Sequence, residues 1–159
     1  MEDNYVFFWQ TKSPFSNWHP SKFTFVEISY HNMEQFMMRA KAVLMGDMET
    51  ADKIMAITDP RAIKALGREV KNFNSNLWDK HKFDIVFNGC KAKFTQNEKL
   101  KKALMETGDK TLVEASPYDK VWGIGLDEAT ARKTDPNKWP GENILGKVLT
   151  KLRDSLKNS

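Results

Sequence analysis

The chain has 159 residues, 40% hydrophobic and 29% charged, which suits one domain with a real core and leaves no room for a second of ordinary size. No apolar run approaches the roughly 20 residues of a membrane span, and Met1-Glu2-Asp3-Asn4 is not a basic region leading into an apolar stretch, so a cytoplasmic protein with no membrane partner is expected. The net charge of +4, from 25 basic and 21 acidic side chains, favours a phosphate-bearing ligand but falls short of the basic stripe of a nucleic-acid binder.

Tyr5-Val6-Phe7-Phe8-Trp9 and Phe23-Thr24-Phe25-Val26-Glu27-Ile28 are rich in strand formers. Between them Ser13-Pro14-Phe15-Ser16-Asn17-Trp18-His19-Pro20 is a stiff, aromatic and amide-rich loop that cannot join a sheet ladder. The pattern predicts an N-terminal β hairpin carrying a rigid loop, a common setting for ligand contacts.

A helix is predicted from Asn32, an N-cap with Gln35 reaching back, to Gly46. Met33, Phe36, Met37, Ala40, Val43 and Leu44 share its apolar arc, while Gln35 and Arg39 are expected to face water. Glu34 and Lys41 belong to neither face. Nearly two turns apart, they point the same way about 10 Å apart along the axis, an acid and an amine on one half-buried edge. Such an edge perturbs pKa values, although most Glu and Lys residues at a helix border extend to solvent.

Short helices follow. One covers about 48–57, and one begins at Asp59-Pro60 and stops at Gly67. After a polar connection over 68–76, residues 77–95 make the longest helix, with Trp78 near its start; 98–106 form another, closed by Gly108. The only cysteine, Cys90, excludes an intrachain disulfide and reads as a small buried hydrophobe. No metal or cofactor is expected. Residues 111–114 are a short strand candidate, and Ser116-Pro117-Tyr118-Asp119-Lys120-Val121-Trp122-Gly123-Ile124-Gly125 is a constrained turn. Residues 126–140 show no periodicity and read as a lid or binding loop. A terminal helix to about 156 packs through Leu145, Val148, Leu149 and Leu152.

Outside the expected core stand Ser16-Asn17, Glu34 with Lys41, Gly67-Arg68, Trp78, Asp119 with Trp122, and Asn143. Such a set could hold a ribose phosphate carrying a flat base: Arg68 for phosphate, the amides of Asn17 and Asn143 for hydroxyls, the indoles for stacking, and carboxylates for breaking a glycosidic bond. Each member also has an ordinary structural role.

The same residues fall in segments that resemble the NADAR superfamily of YbiA-like N-glycosidases. The matching stretches are Pro14-Phe15-Ser16-Asn17-Trp18, Tyr30-His31-Asn32-Met33-Glu34-Gln35-Phe36 continuing to Lys41, Leu66-Gly67-Arg68, and Ala92-Lys93-Phe94-Thr95-Gln96-Asn97. Thr107-Gly108 with Leu112-Val113-Glu114, Asp119-Lys120-Val121-Trp122-Gly123-Ile124-Gly125 and Gly141-Glu142-Asn143-Ile144-Leu145-Gly146 complete the ordered set, which covers nearly the whole chain.

The resemblance implies a single mainly α (α+β) domain over 1–159, a compact helical body with the short N-terminal hairpin. It implies an N-glycosidase, without cofactor, acting on a small ribosyl or ADP-ribosyl substrate such as a ribosylamino-pyrimidine intermediate of riboflavin synthesis or ADP-ribosylated guanine, also within nucleic acid. By position Glu34, Trp78, Asp119, Trp122 and Asn143 fall on the family's functional positions and Lys41 on its active-site lysine. Catalysis is thus expected from Glu34, Lys41 and Asp119, substrate binding from Asn17, Arg68, Trp78, Trp122 and Asn143, and a monomer is expected. The chain departs from the family at Met38-Arg39-Ala40, where a glutamine-rich turn is usual, and in the length of 126–140. A non-catalytic ADP-ribose or NAD-binding module would use the same aromatics and Arg68.

Overall fold

The computed structural model describes residues 4–158. In chain order its elements are β1 (Tyr5–Phe8), β2 (Phe23–Phe25), β3 (Ile28–Tyr30), α1 (Met33–Leu44), α2 (Met48–Met55), α3 (Pro60–Arg68), α4 (Ser75–Thr95), α5 (Glu98–Met105), β4 (Thr111–Glu114), α6 (Glu128–Arg132) and α7 (Ile144–Lys157). The architecture is the expected mainly helical α+β. Its residues divide into two compact units, one running from Asn17 to Asn97 and the other combining the residues up to Ser16 with those from Glu98 onward. No described helix is long and apolar enough to cross a membrane.

The unit 17–97 is built around α1, which packs against α2, α3 and α4. Asn32 caps it through a 2.8 Å bond from Gln35 N–H to Asn32 Oδ1, and Gln35 Oε1 returns to His31 N–H at 2.8 Å. Gln35 does not face water as its helical position suggested. It is wholly buried, and its Nε2 donates to the carbonyls of Ile54 and Ile57 at 3.3 and 3.0 Å, satisfying the end of α2. With neighbours on most sides, α1 has no solvent face over its first two turns, and a polar side chain there must find protein partners.

Two glycines set the distances to α1. At Gly67 a Cβ would lie 2.1 Å from Met38 Sδ, and at Gly89 a Cβ would lie 2.5 Å from a ring carbon of Phe36. Gly67 was expected to end α3. Instead it sits inside the helix, which runs one residue further, and its missing side chain permits the close approach of α1.

The predicted pairing of 5–9 with 23–28 is not formed. The chain reverses at Val26 and Glu27, both in the left-handed region at φ 47° and 66°, so that Phe23 faces Tyr30 across an antiparallel hairpin. Neither residue signals a tight turn, which is why the alternation seemed to continue through them.

In the other unit β1 pairs in parallel with β4, Tyr5 opposite Thr111 and Phe8 opposite Glu114, and α7 packs on β4. Val113, Ile124 and Ala131 form a buried cluster against which Tyr5, Phe7 and Trp139 pack. Leu145, Val148, Leu149 and Leu152 of α7 are buried as their spacing predicts. Residues 126–140 are not a structureless lid: they hold α6 and a 3-10 turn, Pro136–Lys138, and Trp139 Nε1 donates to the Ala131 carbonyl at 3.2 Å. A five-residue helix is too short to show periodicity, but Asp127 and the pair Asp135-Pro136 are helix-start signals.

Candidate active site

Lys41 lies on the border of α1, and its Nζ donates to the Gly67 carbonyl at 2.8 Å while standing 4.7 Å from the centroid of the Phe73 ring. Burial pushes the ammonium below the usual lysine value. The Glu34 carboxylate opposes that shift, and the Arg68 guanidinium adds to it. Glu34 is only 4% exposed, far from the solvent-seeking position of an ordinary border glutamate. Its backbone N–H donates to the Asn17 carbonyl at 3.0 Å, which fixes the end of the aromatic loop on the first turn of α1. The Asn17 side chain is buried, with Oδ1 accepting no hydrogen bond among the described residues.

Four of the expected residues therefore share one neighbourhood in the unit 17–97: Asn17, Glu34, Lys41 and Arg68. Phe73 joins them, and sequence reasoning missed it. It is an aromatic in a polar, asparagine-rich connection, 46% exposed, and held between Asn72 at φ 59° and Asn74, the N-cap of α4. Trp78, in the first turn of α4, is 8% exposed and thus packs as a core residue does.

In the other unit Asp119 organises its turn. Oδ1 accepts from the N–H groups of Val121 and Trp122 at 2.9 and 2.8 Å, while Oδ2 accepts no hydrogen bond among the described residues. The indole of Trp122 is half-buried. The turn is pinned to the start of α7 through Asn143 N–H to Gly123 O at 3.0 Å and Leu145 N–H to Trp122 O at 3.1 Å. A Cβ at Gly141 would lie 2.3 Å from the Gly123 carbonyl oxygen, so only glycine permits that approach.

Asn143 adopts the left-handed conformation, φ 55°, and does not cap α7 with its side chain. Its amide pairs with β4 instead, Oδ1 accepting from Glu114 N–H at 3.0 Å and Nδ2 donating to the Leu112 carbonyl at 3.1 Å. Cys90 is buried and its thiol is pushed up to about 12 by burial. Lys93, one helical turn further on, is also fully buried, and burial lowers its ammonium to about 8.

The model of the NADAR domain matches residues 7–157. A relative from Acanthamoeba polyphaga mimivirus, named as an N-glycosidase, is 50% identical over 165 residues and covers 96% of each chain. One from Nostoc punctiforme, also named as an N-glycosidase, is 30% identical, with 94% of this chain and 89% of the relative aligned. The NMR structure of the Escherichia coli protein YbiA superposes with a TM-score of 0.80 at 24% identity over 99% of this chain and 88% of that one, a likeness of fold.

Proposed function

We propose, from the fact that this chain belongs to the NADAR family, that it is a hydrolase of N-glycosyl compounds, cleaving the bond between ribosyl C1 and the nitrogen of a base-like amine. The substrate is a ribosyl phosphate or ADP-ribosyl compound, with ribosylamino-pyrimidines and ADP-ribosylated guanine as the two candidate classes. The observation that carries the reading is the Lys41 amine, lowered in basicity by burial, fixed by the Gly67 carbonyl, and within electrostatic reach of a buried carboxylate.

A ribosylamine opens at C1 to an imine. Neutral Lys41 Nζ adds to that carbon, and the base nitrogen leaves with a proton delivered by Glu34, so the C1–N bond to the base is replaced by a C1=Nζ imine. Water then adds to the imine, releasing the free sugar and restoring the amine. Burial supports this role because only the uncharged amine attacks carbon. Arg68, exposed beside the amine, suits a phosphate. By the family resemblance Asp119, whose Oδ2 accepts no hydrogen bond among the described residues, is assigned a catalytic role and Trp122 a stacking role, both within their own unit. Asn17 Oδ1 is assigned to a sugar hydroxyl; the αL geometry and side-chain bonds of Asn143 favour a role in shaping its turn.

The test is incubation with ribosylamino-pyrimidine phosphate and, separately, with ADP-ribosylated guanosine, followed by mass spectrometry of the products. Release of base and sugar from one of them is expected. Intact recovery of both, with tight binding of the sugar product, would favour a binding module.

A further inference from the structure

Four aromatic rings that the glycosidase reading leaves unused, Phe8, Trp9, Phe15 and Tyr118, lie close together. In the unit that contains β1 and β4, a cavity of about 360 Å³ opens beyond the carboxyl ends of the two parallel strands, lined by Phe8, Trp9, Ser13, Phe15, Ala115 and Glu128 among others. That volume is within the range of small-molecule sites. Trp9 is 38% exposed and Tyr118 is 87% exposed, unusual for large rings on a chain with a core to fill. Their centroids are 6.0 Å apart with the planes at 48°, so they lean on each other and present an open ring face.

The backbone around them is fixed. Gln10 takes φ 75°, Ser13 N–H donates to Gln10 O at 3.1 Å, Phe15 N–H donates to Ser13 Oγ at 3.2 Å, and Tyr118 N–H donates to Ser116 Oγ at 3.3 Å. Phe8 and Phe15 meet edge to face beneath, 5.6 Å between centroids.

We propose that this cavity is a nucleobase subsite, taking the flat, aminated base of a nucleotide on the Trp9 ring of its wall, with Tyr118 beside that ring at the rim. Glu128 selects the amino edge. Both bonds from Arg132 fall on its Oε2, at 2.9 and 2.7 Å, which leaves Oε1 to accept an N–H from the base while the pair as a whole carries no net charge. A neutral, carboxylate-edged wall of rings suits a base better than a phosphate, which gains no attraction from a neutral pair, and better than a free cation, since Arg132 already answers the charge. The subsite is built from residues of its own unit and does not depend on the glycosidase reading.

Binding is measured by titrating the full chain with adenosine monophosphate and with ribose 5-phosphate, followed by calorimetry and by the indole N–H signals in NMR spectra. The nucleotide should bind at least about tenfold more tightly than the sugar phosphate and shift the Trp9 indole. Trp9→Ala and Tyr118→Ala should each weaken nucleotide binding on the order of tenfold, the usual effect of removing a stacking ring, with ribose 5-phosphate affinity unchanged. Tyr118 is exposed enough for its alanine variant to fold. Equal affinity for both probes, no effect of either variant, or tetramethylammonium binding with the same dependence on the rings would overturn the proposal. Nucleotide binding with no cleavage of any ribosylamine would sink the glycosidase reading and leave the subsite standing.

Discussion

Replacing Gly67 with alanine joins packing to chemistry in one substitution. The new methyl would lie 2.1 Å from Met38 Sδ and 3.0 Å from its Cγ, so Met38 must swing aside or α3 must retreat from α1. Alanine gains about 1 kcal/mol over glycine inside a helix, and overpacking costs about 1–3 kcal/mol. The net loss of stability is therefore at most about 2 kcal/mol, or a fall in Tm of at most roughly 8 °C for a chain of this size. The larger effect falls on turnover. The Gly67 carbonyl holds Lys41 Nζ at 2.8 Å, and displacing a reacting group by about 1 Å costs up to ~100-fold in rate. Steady-state release of base, with urea unfolding in parallel, should show kcat/KM reduced about 10- to 100-fold while the chain remains folded. Met38→Ala in the same chain makes room for the methyl, so the double variant should recover part of the rate and be less unstable than the two single losses added together. Parental rate and parental Tm in Gly67→Ala would refute the claim that the α1 and α3 contact positions the amine.

Glu34→Gln keeps the shape of a buried side chain and removes its proton, so turnover should fall at least ~100-fold with circular dichroism unchanged. Trp122→Ala should raise KM more than it lowers Tm, whereas Trp78→Ala, at an 8% exposed position, should cost about 3–5 kcal/mol of stability in thermal unfolding. If the Trp78 variant loses binding and keeps its Tm, that ring contacts substrate. Lys93 is lowered from 10.5 to about 8 by burial, so between those values the unfolded chain binds more protons than the folded one. Stability should thus rise with pH across that window by up to about 3 kcal/mol relative to Lys93→Met, measured by denaturant unfolding at pH 7.5 and 10.

Sequence alone reached the helices, because Asn32, Asp59-Pro60 and the apolar spacing of α7 are local signals. It reached the border position of Glu34 and Lys41 for the same reason: two residues seven apart on a helix share a face whatever surrounds them. It did not reach partners set by tertiary contact. Gln35 reads as solvent-facing because nothing in its helix reveals that α2 ends against it. Gly67 reads as a stop because a glycine that ends a helix and one that admits a neighbour look alike in one dimension. The parallel partner of β1 lies more than a hundred residues away, beyond any hairpin signal. Phe73 carries no signal of its own in the sequence, because only the folded chain sets the Lys41 ammonium over its ring.

If Lys41 forms a covalent imine with ribosyl C1, reduction during turnover traps it. Borohydride added while substrate is being consumed should convert the imine to a stable secondary amine, with the sugar mass found by peptide mapping on the fragment that contains Lys41. Lys41→Arg should show neither adduct nor turnover, since guanidinium keeps the charge but cannot form the imine. Undiminished turnover in Lys41→Arg, or turnover without any trapped sugar in the parent chain, would contradict imine formation and place the chemistry in direct attack by water.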